Sequence, residues 1–162
     1  MESILEKIDQ YDLFINLLTG SVLALLITKT TSINFADGDA IELLFSYYFL
    51  GLVVSRIGSL LIGPVLKSTK FVSYTSYTDY LHAAKRDPKL EMLSQDNNLY
   101  RSIISACVIY IATFTFDRTV YQHSHVFSGY FVLASAIFLL VLFTFAYRKQ
   151  TSFISRRVND NK

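Results

Sequence analysis

Residues 126–147, VFSGYFVLASAIFLLVLFTFAY, run for 22 positions without a charged side chain. An α-helix rises 1.5 Å per residue, so about 20 apolar residues carry it across a hydrocarbon core about 30 Å thick. This segment is therefore read as a membrane span. Three more segments qualify: residues 13–28, 41–66 and 102–116. Of the 162 residues 52% are hydrophobic and 17% charged, which is too apolar for a water-soluble domain of this size. The expected fold is all-α, a polytopic membrane protein with four transmembrane helices.

The distribution of lysine and arginine predicts the orientation, because cytoplasmic segments retain positive charge. Lys7, six basic residues between Lys67 and Arg101, and Arg148, Lys149, Arg156, Arg157 and Lys162 place 12 on one side. The other side holds Lys29 and Arg118, and its first loop is acidic through Asp37, Asp39 and Glu42. Both termini are expected in the cytoplasm. The acidic start MESILEKIDQYD lacks the positive region and small-residue cleavage site of a signal peptide, so the first span is expected to remain in the membrane.

Residues 67–101 form a connection far longer than two spans require, which implies structure of its own. Asp87-Pro88 is a helix start, a capping side chain followed by proline at the first helical position. From there Leu90, Leu93, Asn97, Tyr100, Ile104 and Cys107 follow a spacing of three and four, predicting one helix over 88–116 that begins outside the membrane. Tyr147, Thr151, Ile154 and Val158 keep a similar spacing, so the fourth span is expected to continue past the lipid. Helices three and four would thus extend into a cytoplasmic helical stalk, its apolar side buried against other copies or residues 71–81. The chain divides into a first transmembrane hairpin (1–66), a cytoplasmic helical connection (67–101), a second hairpin (102–147) and a basic tail (148–162).

Arg56 stands inside the second span, at a depth near Asp12 and Asn16 of the first. Intramembrane charges face bundle interiors or water, and three readings apply: structural pairing with Asp12 or Asn16, snorkelling to headgroups, or a positive ring lining an oligomeric pore. Gly51, Ser55, Ser59 and Gly63 recur every four residues, a small-residue stripe suited to close helix approach. The polar side chains available to a pore are few: Asn16, Thr19, Ser55, Arg56 and Ser59.

Tyr74, Tyr77 and Tyr80 recur every three residues among basic side chains. Cations suit phosphate and rings suit bases, so Lys67, Lys70, Lys85, Arg86, Lys89, Arg148, Lys149, Arg156 and Arg157 are candidate ligand-binding residues, for a nucleic acid or for anionic lipid. Cys107 is the sole cysteine and reads as a packing residue. His123 and His125, with Asp117, make a weak metal constellation. No cofactor, metal site or catalytic residue is assigned, and the chain is not expected to be an enzyme.

The stretches RIGSLLIGPVLK, KRDPKLEMLSQDNNLYRS and YRKQTSFISRRV resemble the small four-span membrane proteins of bacterial anti-phage defence loci, among them the membrane effectors of the Hailong system. The membrane subunits of Kiwa are another such group. The resemblance runs over most of residues 50–158. It implies the bacterial inner membrane, a homo-oligomer with a tetramer preferred, and an ion channel. It further implies that a single-stranded oligodeoxyadenylate holds the channel closed, made by a soluble nucleotidyltransferase partner. The alternative is a non-conducting anchor or scaffold that recruits a soluble partner; a lipid-binding or transport subunit is a third reading.

Overall fold

The computed structural model describes the backbone of residues 2–35, 37–120 and 128–161, and side chains from Tyr11 onward within them apart from residue 128. Its described residues form helices without strands. They are α1 (Glu2–Thr30), α2 (Ala40–Ile57), a π-turn (Gly58–Ile62), α3 (Gly63–Ser68), α4 (Tyr77–Arg86), α5 (Lys89–Val120) and α6 (Ser128–Asp160). Four stretches are long and apolar enough to cross a membrane: Tyr11–Thr30, Ala40–Ser68, Lys89–Val120 and Gly129–Asp160. The chain is therefore a multi-pass membrane protein with four spanning helices.

Local sequence accounts for the helix ends. Asp39 starts α2 with a capping box: its Oδ1 accepts from the amides of Ile41 at 3.0 Å and Glu42 at 2.9 Å, while Glu42 reaches back to the Asp39 amide. Pro64 cannot donate to the carbonyl four residues earlier, a conflict inside a long helix that a wider turn relieves. The π-turn stands just before it, with the Gly63 amide bonded to the Gly58 carbonyl. After α3 the chain stops in a Schellman motif, where Lys70 takes the left-handed conformation (φ 56°), its amide bonds to Lys67 and the Phe71 amide to Leu66, both at 3.0 Å. As expected, Asp87 starts α5, accepting from the Lys89 amide at 3.1 Å.

Three apolar clusters follow one another along α5. Leu23, Ile27, Val54, Tyr110, Phe114 and Ala136 join the four spans. Val72, Ile104 and Tyr147 dock the linker after α3 onto α5 and α6. Ala83, Leu90 and Val158 fix α4 between the same two helices. The predicted faces are thus used: Leu90, Ile104, Cys107, Tyr147, Thr151 and Val158 are all buried. At 32 and 33 residues, α5 and α6 are about 48–50 Å long and exceed the hydrocarbon core by roughly a third of their length. The end that carries α4 is here termed the basic end.

The close approach of α1 and α2 is made by glycines. A Cβ on Gly51 would lie 1.7 Å from the Asn16 carbonyl oxygen, and one on Gly20 1.8 Å from that of Tyr47. The expected four-residue stripe is only partly used. Gly51, Val54, Gly58 and Gly63 are buried, while Ser55 and Ser59 are not: Val54 and Gly58 stand three and seven residues after Gly51 on one α-helical face, and the wider π-turn then brings Gly63 onto the face of Gly58. The expected pairing of Arg56 is not formed. Arg56 and Asp12 are exposed, Asn16 is half-buried, and no side-chain hydrogen bond or ion pair to Arg56 exists among the described residues. Arg56 points off the bundle, where lipid or a second copy would meet it.

Candidate ligand pocket at the basic end

Where α4, α5, α6 and the linker meet, the packing leaves a cavity of about 310 Å³. Tyr74, Tyr77 and Tyr80 all line it, although the spacing that brought them together in the sequence is helical only for the last two. Tyr74 belongs to the extended segment released by the Schellman stop. Ser76 caps α4 by accepting from the Asp79 amide at 3.2 Å, which sets Tyr77 at its first residue. The opposite wall is polar: Asn97, Asn98 and Arg101 from α5, Thr151 and Ser155 from α6.

A hydrogen-bond network holds the walls. The hydroxyls of Tyr74 and fully buried Tyr147 lie 2.6 Å apart and tie the linker to α6. Thr151 donates to the Tyr147 carbonyl at 2.8 Å and lies 3.3 Å from Asn97 Oδ1. Ser155 donates to the Ser73 carbonyl and Gln150 to that of Leu93, both at 3.3 Å. Burial first, and then the bond to Tyr147, push the Tyr74 phenol well above its ordinary value. It stays protonated at neutral pH, so it serves as a hydrogen-bonding hinge rather than a base.

Arg101 is the cation of the cavity, and among the described residues no carboxylate shares its lining. Its Nη2 donates to Asn98 Oδ1 at 3.1 Å. Its Nε is buried with no hydrogen-bond partner, a state that costs about 1–3 kcal/mol and more for a charged group. Its stem lies on the second span. A Cβ on Gly58 would be 3.3 Å from both the Arg101 Cγ and its carbonyl oxygen, and one on Gly63 3.8 Å from its Cδ and 3.9 Å from the Tyr74 hydroxyl. One side chain thus touches both the cavity and the π-turn. In the sequence Arg101 counts only as topological charge; its signal is the pair Gly58 and Gly63 ahead of the helical Pro64.

The other candidate cations are more dispersed. Lys67, Lys70, Lys85, Arg86, Lys89, Arg148, Lys149 and Arg156 are exposed. Arg148 stacks on the Phe71 ring at 4.8 Å, and Arg86 reaches the Asn161 carbonyl at 3.4 Å. Arg157 forms an ion pair with Asp87, clasping the tail of α6 to the α4–α5 corner. That arginine and its bond hold the Asp87 carboxyl below the usual carboxylate range.

At the opposite end Asp117 is fully buried and accepts from the amide and hydroxyl of Ser32, which fastens the end of α1 to α5. It is thus engaged in structure rather than free as a metal ligand, and His123 and His125 lie outside the described residues. Among the described residues no group of three His, Cys, Asp or Glu side chains is placed to hold a metal ion. A second cavity of about 370 Å³ lies between α1, α5 and α6 within the spans. Its lining is apolar apart from a few hydroxyls, and that of Thr19 is returned to its own helix, donating to the Ile15 carbonyl at 2.8 Å. Compared with protein-family models, curated proteins and solved structures, the chain matches none.

Proposed function

We propose that the chain is an oligomeric membrane effector of bacterial anti-phage defence, an ion channel whose state is set by a nucleic-acid or nucleotide ligand at its basic end. The observation that carries this reading is Arg101, which lines a polar cavity outside the apolar bundle while its stem lies on Gly58 and Gly63 at the π-turn of the second span. A ligand there has a direct mechanical route into the membrane. The charge bias supports a cytoplasmic basic end, and the resemblance to defence-locus proteins supplies the bacterial inner membrane, the channel and the ligand class. The conducting path lies between copies, with Arg56, Ser55 and Ser59 of each chain turned towards a neighbour and Asn16 behind them. No catalytic step is assigned to the chain.

The test is ion flux through purified protein in liposomes, with and without a single-stranded oligonucleotide. Flux that the oligonucleotide suppresses, and that Lys85→Glu with Arg86→Glu and Arg156→Glu releases from suppression, supports the reading. Arg157 stays unmutated because its ion pair with Asp87 is structural. The second reading, a non-conducting anchor for a soluble partner, is favoured by the apolar lining of the cavity inside the spans. Correctly assembled oligomers that pass no ions under any condition would establish it.

A further inference from the structure

We propose that the cavity between α4, α5 and α6 binds one mononucleotide unit, a phosphate ester carried on a planar base, with Arg101 taking the phosphate and Tyr77 the base. The gating consequence drawn below rests on the channel reading; the binding site does not.

Charge selects the first half of this ligand. Among the described residues Arg101 is the one ionised side chain in the lining and no carboxylate there neutralises it, so the cavity favours an anion. A guanidinium presents five N–H donors in a planar fork that fits a phosphate in two places at once. Here Nη2 is engaged by Asn98 while Nε is sealed off without a partner. The guanidinium is therefore incompletely satisfied where it lies, and a phosphate in the cavity supplies acceptors that Gly58 and Gly63 do not.

Ring chemistry selects the second half. Tyr77 is 73% exposed at the mouth and enters no ring pair among the described residues, so a face is free for stacking. Tyr80 stands one helical turn further on, and the amides of Asn97 and Asn98 offer both donors and acceptors to a base edge. Size limits the occupant. Ligand pockets run from about 300 to 1,000 Å³, and about 310 Å³ is the low end. It suits a single unit, free or at the end of a strand, whereas the interior of a polymer would not enter.

Occupancy then has a mechanical effect. Drawing the guanidinium toward the cavity lifts the Arg101 stem from Gly58 and Gly63, the two glycines that bound the π-turn. A π-turn that reverts to α-helical pitch rotates everything beyond it by most of a residue step, which moves α3 and the linker that carries Tyr74.

Isothermal titration of the full chain in nanodiscs tests the site, using adenosine monophosphate, adenosine, inorganic phosphate and a short single-stranded oligodeoxynucleotide with a terminal phosphate. Adenosine monophosphate is expected to bind, with adenosine and inorganic phosphate each weaker by more than about tenfold. Arg101→Lys, which keeps the charge and most of the stem, should weaken it by more than about tenfold. Tyr77→Ala, an exposed change that leaves the core untouched, should weaken it by at least about fivefold. Lys29→Gln at the opposite end should change nothing. Binding of the oligonucleotide alone that Tyr77→Ala weakens assigns the site to a strand end; binding of the mononucleotide assigns it to the free form. Inorganic phosphate binding as tightly as the mononucleotide, binding indifferent to both Arg101→Lys and Tyr77→Ala, or no binding of any probe overturns the proposal. Flux separates it from the channel reading. Oligonucleotide-suppressed flux that both variants leave unchanged rejects the pocket and keeps the channel, whereas binding through Arg101 and Tyr77 without flux keeps the pocket and rejects the channel.

Discussion

The hydroxyl pair between Tyr74 and Tyr147 is one of the hydrogen bonds that hold the linker to the last helix, beside that of Ser155 to the Ser73 carbonyl. Tyr74→Phe deletes one partner and leaves the Tyr147 hydroxyl fully buried, so it should cost about 1–3 kcal/mol in a thermal unfolding series. Because the Tyr74 phenol titrates above its ordinary value of 10.0, the stabilisation is complete below pH 10.0 and is lost as pH rises through the folded value. The gap between native protein and Tyr74→Phe should therefore close in strong alkali. The Asp87–Arg157 pair has the opposite sign. The Asp87 carboxyl is held below 3.8 by Arg157, so its contribution is present above pH 3.8 and disappears as pH falls through the lower folded value. Asp87→Asn keeps the helix cap, since asparagine caps as well as aspartate, and removes only the charge. Native and variant melting temperatures should differ at neutral pH and converge below pH 3.8. At this scale the sequence was least informative. Arg56 drew attention as a charge among apolar residues yet faces outward, whereas Arg101 sat inconspicuously near the end of a polar stretch, and only the space left by Gly58 and Gly63 makes it a link between two sites.

The helices themselves were legible because each depends on signals a few residues long. Length and hydropathy define the spans, Asp87-Pro88 starts α5, and the spacing of Tyr147, Thr151, Ile154 and Val158 continues α6 to Asp160. Their register was not. A stripe at every fourth residue drifts off an α-helical face of period 3.6, so Val54 and Gly58 replace Ser55 and Ser59 on the buried face, and only the added residue of the π-turn returns Gly63 to it. The α1–α2 crossing was equally hidden, since Gly20 and Gly51 lie on different helices and only packing pairs each with a carbonyl of the other. Gly51→Ala drives a methyl group into the Asn16 backbone, which no rotamer change relieves, and should cost about 3 kcal/mol or more, read as lost folded yield in detergent. The Schellman stop gives a prediction of the other sign. Lys70 occupies at φ 56° a position that glycine fills without strain, so Lys70→Gly should stabilise the protein by about 0.5–1 kcal/mol in the same assay.

For the whole molecule the decisive property is its polarity along the membrane normal. Twelve of the fifteen lysines and arginines belong to the N-terminal segment, to residues 67–101, which end within the first half of α5, and to the tail of α6, and the structure gathers the last two into one helical end. Translocating that basic end would move most of the chain's positive charge across the membrane, which opposes an insertion with the basic end outside. The position-specific consequence uses Cys107→Ala as background, with single cysteines at Asp37, exposed in the acidic loop before α2, or at Lys85, exposed on α4. A membrane-impermeant maleimide added to intact bacterial spheroplasts should label Asp37→Cys and spare Lys85→Cys until the cells are lysed. Labelling of Lys85→Cys from outside would invert the molecule, expose the Arg101 cavity to the exterior, and remove it from any ligand made in the cytoplasm.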